Sequence, residues 1–177
     1  MNKRPKNSLV YSGSLAESPV GTVWVGVSER GLVAVQLGTN RDEFVYSVEG
    51  LGFNDIRFDT EMTGEALRQI GDYLEGKRQI FELPIDWSVL TSFQEQVLQE
   101  TYAIPYGQMA TYGELARRIG KPKAARAVGR AEATNPMPVV IPCHRVVGSD
   151  GGLHGYGAGK GLETKAWLLR LEGAAWG

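Results

Sequence analysis

The chain changes its hydrophobic period near the midpoint, and that change restricts the folds open to it. Before residue 84 the apolar residues fall in β-branched runs, Thr22-Val23-Trp24-Val25-Gly26-Val27-Ser28 and Gly31-Leu32-Val33-Ala34-Val35-Gln36-Leu37. Only Glu29-Arg30 separates them, a connection that predicts a hairpin. Thr63 to Leu74 then carries a helical stripe of Ala66, Leu67, Ile70 and Leu74 that closes before Gly76. Ile80-Phe81-Glu82-Leu83 reads as one more strand and Pro84-Ile85-Asp86-Trp87-Ser88 as a linker. Beyond it the pattern is helical. A length of 177 residues has room for two small domains. The reading is an α/β domain over 1–88 and a mainly α domain over 89–177.

The helices of the second half announce their starts. Thr91-Ser92-Phe93-Gln94 has the spacing of a capping box, with Phe93, Val97 and Leu98 as the apolar face that follows. Thr111-Tyr112-Gly113-Glu114 is a second one, placing Tyr112 at the first helical position with Leu115, Ala116 and Ile119 inward. Gly120 ends that helix, and Pro122 fits the first position of the next, which runs to about Ala133 before Asn135-Pro136. Helix, tight turn, helix is a helix-turn-helix arrangement. In its second helix Lys123, Arg126 and Arg130 share a face, while Ala125, Ala127 and Gly129 are small enough for close approach to a groove. A close-packed helix in a bundle fits the small residues equally well.

Net charge is −1, yet it is unevenly spread. Residues 1–90 hold 9 Lys/Arg against 13 Asp/Glu, and residues 91–177 hold 10 against 7. Arg117, Arg118, Lys121, Lys123, Arg126 and Arg130 follow one another with no acid between them. Such a patch suits phosphate, and it also suits a solvated helical face.

Pro142-Cys143-His144-Arg145-Val146 contains the one cysteine of the chain and one of its two histidines. A lone cysteine forms no internal disulfide and builds no thiolate metal site. Two readings remain, a small buried hydrophobe or a nucleophile whose cationic neighbours lower its pKa. Val139-Val140-Ile141 before it reads as a short buried strand. Gly155-Tyr156-Gly157-Ala158-Gly159-Lys160-Gly161 is a glycine-rich loop without P-loop spacing. The last helix, about Leu162 to Leu171, has Trp167, Leu168 and Leu171 inward and ends on Glu172, a carboxylate that opposes the helix dipole. A partner for Glu172 elsewhere in the fold would account for it, and so would plain solvation. The basic start, Met1 to Ser8, reads as a short tail, and no signal or membrane-spanning run is present, so a cytoplasmic location is expected.

Together these features resemble the O6-alkylguanine-DNA alkyltransferases, the methylated-DNA–protein-cysteine methyltransferases. Ile141-Pro142-Cys143-His144-Arg145-Val146 matches the family signature. The likeness continues in order through Phe93-Gln94, Ile104-Pro105-Tyr106-Gly107, Thr111-Tyr112-Gly113, Ala124-Ala125-Arg126-Ala127-Val128-Gly129, Asn135-Pro136, Gly155-Tyr156 and Lys165-Ala166-Trp167-Leu168-Leu169. The resemblance implies an α/β N-terminal domain with an RNase-H-like sheet and a C-terminal domain with a helix-turn-helix, winged-helix-like. It implies a DNA-repair methyltransferase that meets double-stranded DNA from the minor groove and flips the alkylated guanine, at a cost of about a few kcal/mol. The alkyl group then passes irreversibly to cysteine in a single turnover. No cofactor is implied. The implied state is a monomer, with cooperativity on DNA and O4-alkylthymine as a second lesion left open.

By position, the resemblance makes Cys143 the alkyl acceptor, His144 its base through a bridging water, and Glu172 the holder of the imidazole tautomer. Tyr112 would rotate the target phosphate and donate to the departing guanine. Arg126 would take the place of the flipped base, with Lys123, Ala125, Ala127, Gly129 and Arg130 along the DNA. Asn135 would hold the turn behind the helix. Val146, Tyr156, Gly157, Ala158, Glu132 and Pro138 would line the guanine pocket. Glu132 stands where relatives often carry Asn or Met, on the expected DNA side of the pocket wall, and His154 sits where small residues are usual and would narrow the pocket. The first half has no Cys or His, so the zinc site of some members is not expected. Three other classes fit the residues less well. A non-catalytic lesion sensor of the alkyltransferase-like type lacks the cysteine that Cys143 supplies. A cysteine hydrolase has no use for the basic helix, and a simple helix-turn-helix regulator has none for Cys143.

Overall fold

The computed structural model describes residues 8–176, and the stretch Met1 to Asn7, read above as part of a tail, lies outside the described residues. The chain divides into two compact units between Val89 and Leu90.

The first unit is a four-stranded sheet with a helix on each face. Its strands are β1 (Leu9–Leu15), β2 (Val23–Ser28) and β3 (Gly31–Leu37); helix α1 (Arg41–Gly50) follows, then β4 (Asp55–Phe58) and helix α2 (Thr60–Leu74). The sheet order is β3-β2-β1-β4, with β1 antiparallel to β2 and parallel to β4. The hairpin expected at Glu29-Arg30 is present, with Ser28 opposite Gly31. Side chains alternate between faces along a strand. Val10, Trp24 and Val33 therefore meet Phe44 and Val48 of α1, with the Trp24 ring stacked on Phe44 at 5.5 Å. The other face receives α2, which begins three residues earlier than its apolar stripe because Asp59 caps it, accepting from the amides of Glu61 and Met62.

Two expectations for this unit fail. Ile80 to Leu83 forms no strand, and Ile80 is largely exposed. The pairing falls instead on the segment read as a linker. Leu32 donates to the Pro84 carbonyl (2.8 Å), and Asp86 donates back to the Leu32 carbonyl (3.0 Å). The buried Asp86 carboxylate then accepts from the Ser28 hydroxyl at 2.8 Å and from the Ser88 amide at 3.1 Å. A segment whose backbone and side chain are spent on the sheet edge is part of the domain, not a tether.

The second unit holds α3 (Ser92–Tyr102), β5 (Ala110–Thr111), α4 (Tyr112–Arg118), α5 (Ala125–Ala133), β6 (Val146–Val147) and α6 (Leu162–Leu171). Both capping boxes form, Thr91 with Gln94 and Thr111 with Glu114, and Tyr112 takes the first helical position. Val97, Leu115, Val128 and Ala131 share one core with Ile104 and Val146. Strands β5 and β6 pair in parallel, which sets the start of α4 beside the chain that leaves Cys143.

Three local expectations are corrected here. Helix α5 starts at Ala125, not at Pro122, because Lys121 to Ala124 closes a turn (Ala124 amide to Lys121 carbonyl, 2.8 Å) with Pro122 at its second position. Lys123 therefore lies in that turn, outside the helix. Val139 to Ile141 is buried but is a turn rather than a strand, and Val139 sits at φ 74°. In α6 the fully covered positions are Thr164, Lys165, Leu168 and Leu169, while Trp167 and Leu171 are half-buried.

Candidate active site

The residues after α5 form a bracket that aims Cys143. The Asn135 side chain accepts from the Met137 amide (3.0 Å) and donates to the Ile141 carbonyl (2.9 Å), clamping the turn that contains Val139. A β-branched residue at positive φ costs about 1–3 kcal/mol and persists only where its surroundings hold it. Pro138 and Ile141 bridge across the same turn, and both are buried. Pro142 then makes an inverse γ-turn, φ −80° and ψ 64°, with the Cys143 amide 2.8 Å from the Ile141 carbonyl. Cys143 to Arg145 continue as one 3-10 turn. The cysteine thus leaves a turn, not the end of a strand, and consecutive side chains fan out around that turn.

His144 and Arg145 converge on Glu172. His144 Nε2 lies 2.7 Å from Glu172 Oε1. Arg145 grips the same carboxylate through Nη2 to Oε1 at 2.8 Å and through Nε to Oε2 at 2.9 Å and Oε1 at 3.2 Å. Arg145 Nη1 also donates to the Ile104 carbonyl (2.5 Å), and its guanidinium lies over the Tyr106 ring at 5.7 Å. The Gly107 amide completes the set, donating to Glu172 Oε2 at 3.0 Å. Gly107 is at φ 75°, and a Cβ there would meet the Glu172 carbonyl at 3.0 Å, so this approach needs glycine. The partner that Glu172 required is therefore a buried cluster, with Arg145 as its counter-charge.

The expected activation of the thiol by its cationic neighbours does not occur. Burial first, and an ionised Glu132 second, push the Cys143 thiol up to about 12, against a hydrogen bond from Asn135 and the charge of Lys165. The positive charge of Arg145 is already spent on Glu172. His144 is held below its ordinary value, chiefly by burial, although Glu172 pulls it upward. At rest the pair is a neutral thiol and a neutral imidazole.

Tyr112, Lys165 and Glu132 are the other groups whose charges couple to Cys143. Tyr112 donates to the His154 carbonyl at 3.0 Å, and its ring lies beside Gly129 of α5. Burial first, then Glu132 and Cys143, hold its hydroxyl at about 12. Lys165 is wholly buried and donates to the carbonyls of Val146 (2.6 Å) and His154 (2.9 Å). Burial lowers it, while Cys143 and Glu132 raise it. Tyr156 is buried, Ala158 half-buried, and Gly157 exposed beside the Ala133 carbonyl.

Two departures noted in the sequence land elsewhere. Glu132 is not on the DNA side: it is 4% exposed and turned inward against Thr101 of α3. Helix α5 packs on α3, which covers most of that position. The His154 ring does not narrow the site. It is 58% exposed, pairs with Asp150 at 3.5 Å and rests over Gly148 and Gly152, so only its carbonyl enters the cluster.

The outer face of the unit is basic. Arg117, Arg118, Lys121, Lys123, Arg126 and Arg130 are all exposed, as is Ala127, while Ala125 and Gly129 are half-buried. Lys121 is partly committed to α3, over the Phe93 ring at 5.0 Å and bonded to Gln96. Sequence reasoning missed three members of the cluster. Arg145 had a visible signal, a guanidinium adjoining a relay that needs a counter-charge. Lys165 had a weaker one, a cation on the inward stripe of α6. Thr101 had none.

Comparison with known proteins covers both units. Residues 10–87 match the family described as 6-O-methylguanine DNA methyltransferase, ribonuclease-like domain, and residues 92–174 match its DNA binding domain. The methylated-DNA–protein-cysteine methyltransferase of Methanosarcina acetivorans is 38% identical over 162 residues, which is 91% of this chain and 97% of that protein. The constitutive protein of that name from Bacillus subtilis is 37% identical over 157 residues, 89% of this chain and 92% of its own. The crystal structure of Mycobacterium tuberculosis O6-methylguanine methyltransferase matches with a TM-score of 0.76 at 32% identity over 92% of each chain. A structure of the Mycobacterium tuberculosis protein in complex with DNA matches with a TM-score of 0.76 at 33% identity. Likeness of this extent, across both units and through the Cys143 bracket, means that the chain belongs to the methylated-DNA–protein-cysteine methyltransferase family.

Proposed function

We propose that this protein repairs DNA by moving the alkyl group of O6-alkylguanine onto Cys143, once per molecule. The observation that carries the reading is the position of the lone thiol: it is fixed by the Asn135 bracket, directly precedes His144 and Arg145 of a buried relay with Glu172, and belongs to a unit whose outer face is basic. Helices α4 and α5, with the β5–β6 pair, are read as a winged-helix-like unit that a monomer lays in the minor groove. Arg126, exposed on α5, replaces the flipped base in the stack, and Lys123 and Arg130 hold phosphates. Val146, Tyr156, Ala158 and the glycine-rich loop receive the guanine.

The chemistry follows from the resting protonation states. A neutral thiol is a poor nucleophile, and the thiolate is the reactive form. With Nε2 of His144 held by Glu172, Nδ1 takes the thiol proton through a bridging water, and Glu172 stabilises the imidazolium that results. Sulfur attacks the alkyl carbon. The S–C bond forms, the C–O6 bond breaks, and the electron pair leaves on guanine. Tyr112 keeps its proton at neutral pH and turns its O–H from the His154 carbonyl to the departing base, while the proton taken from the thiol balances the charge of that base. The thioether has no route back to a thiol in this site, so each molecule acts once.

Intact-protein mass spectrometry after mixing with a duplex containing O6-methylguanine tests the reading. The expected result is a gain of one methyl group, mapped to the Cys143 peptide and saturating at one equivalent, with Cys143→Ala binding the duplex but gaining nothing. Lesion DNA bound with no mass gain would place the protein among the sensors instead.

A further inference from the structure

Glu132 is a buried titratable group near the thiol that the alkyl transfer does not use. Its Oε1 is bonded to the Thr101 hydroxyl, and its Oε2 is buried with no hydrogen-bond partner. A buried carboxylate with one hydrogen bond is costly to hold. The one buried cation at hand, Lys165, spends two of its donors on the carbonyls of Val146 and His154, and it forms no ion pair with Glu132 among the described residues. Thr101 also faces the Val97 carbonyl at 3.0 Å. A protonated Glu132 satisfies this arrangement: its O–H donates to Thr101, whose own O–H donates to Val97, and the remaining oxygen is an uncharged carbonyl. The groups that face it are Tyr112 from α4, Cys143 from the bracket and Lys165 from α6, while α3 presents only the uncharged Thr101.

We propose that Glu132 is a neutral carboxylic acid in the resting site, and that its ionisation opposes thiolate formation at Cys143 and so sets an upper pH limit on alkyl transfer. This rests on Cys143 being the alkyl acceptor. Glu132 touches no reacting atom. It is a positioning residue that acts through the charge it withholds from the thiol. On ionisation its proton leaves to solvent, and the thiol must then lose its proton beside a second negative charge. Burial, the larger influence, against the Thr101 bond and Lys165, puts the Glu132 carboxyl at about 8. The neutral form is therefore dominant at pH 7 and lost above that value.

The test is the single-turnover rate of methyl appearance on Cys143 between pH 6 and 10, with protein in saturating excess over an O6-methylguanine duplex, for the full chain and for Glu132→Gln. Glutamine keeps the shape and the bond to Thr101 but cannot ionise. The two rates should agree within about twofold at pH 7, and at pH 9 the unaltered protein should be about tenfold slower, the factor expected one pH unit above the limiting ionisation. Superimposable profiles overturn the proposal. If neither protein gains a methyl group at any pH, the alkyl-transfer reading itself fails. Should Glu132→Gln not fold, the unaltered protein decides alone. A folded-state carboxyl raised from its ordinary value binds a proton that the unfolded chain releases, so stability is full at low pH and declines as pH rises through about 8. Its infrared carboxylic-acid band at pH 7 should fade over the upper part of that range. A protein whose carboxylic-acid band is already absent at pH 7 overturns the proposal.

Discussion

Glu172 holds two neighbours that are costly to bury without it. Arg145 is 6% exposed, and its guanidinium would be a nearly solvent-free charge if the carboxylate were lost. His144 is fully buried, and Glu172 is the partner that fixes its Nε2. Glu172→Gln removes the counter-charge while keeping the shape. Breaking a buried pair from one side costs about 3–5 kcal/mol, and that loss should appear in urea unfolding at pH 7. Transfer should also slow, since an amide stabilises an imidazolium less well than a carboxylate does. His144→Ala provides the contrast: it leaves Arg145 on Glu172, so transfer should be lost with a smaller loss of stability. A destabilisation below about 1 kcal/mol for Glu172→Gln would mean that the Ile104 carbonyl and the Tyr106 ring suffice for Arg145.

At the scale of elements, the edge of β3 shows how a single position can commit a whole segment. Gly31 is at φ 134°, and a Cβ there would lie 2.4 Å from the Pro84 carbonyl oxygen. Gly31→Ala must therefore strain its own backbone and push residues 84–86 off the sheet, releasing Asp86 from Ser28. The expected cost is roughly 2–4 kcal/mol, read as a lower midpoint of thermal unfolding, with Cys143 chemistry intact at temperatures where the chain stays folded. A change within about 0.5 kcal/mol would show that the 84–86 pairing carries no stability.

The same segment explains what could be read in advance. Elements with a local signature were legible: the β2–β3 hairpin, the two capping boxes and the glycine stop after α4. Those defined by distant partners were not. Helix α1 buries only Phe44 and Val48 among polar residues, and β4 is half exposed. Strand β1 carries Ser-Gly-Ser in its middle and is a strand because β2 and β4 flank it. The site divides in the same way. Cys143, His144, Tyr112 and Asn135 stand in recognisable motifs, and Glu172 was conspicuous for its place at a helix end. The burial of Glu132 against Thr101, and of Lys165 on two carbonyls, depends on tertiary packing that no local pattern encodes. Burial also reversed the expected effect on the thiol, because the adjacent cation was already paired.

Across the whole molecule, charge is arranged so that a chain of net charge −1 can still bind a polyanion. No helix among the described residues is long and apolar enough to cross a membrane. The six basic residues from Arg117 to Arg130 all lie at the surface of the second unit. Lys121 is shared with Phe93 and Gln96; if Arg126 enters the base stack as proposed, Arg117, Arg118, Lys123 and Arg130 are left for phosphates. Each neutralised phosphate releases counterions, so four contacts predict a slope of roughly −4 in log affinity against log salt, or a loss of roughly 200-fold between 50 and 200 mM. Fluorescence anisotropy with a labelled duplex measures it directly. Lys123→Ala should weaken binding to any sequence and reduce the slope by about 1. Arg126→Ala should leave the slope nearly unchanged while slowing transfer on duplex far more than on the free alkylated base, because its proposed role is to fill the gap in the stack. A slope near zero would reduce the basic stretch to a solvated face. Equal slowing of Arg126→Ala on duplex and free base would take that residue out of the flipping step.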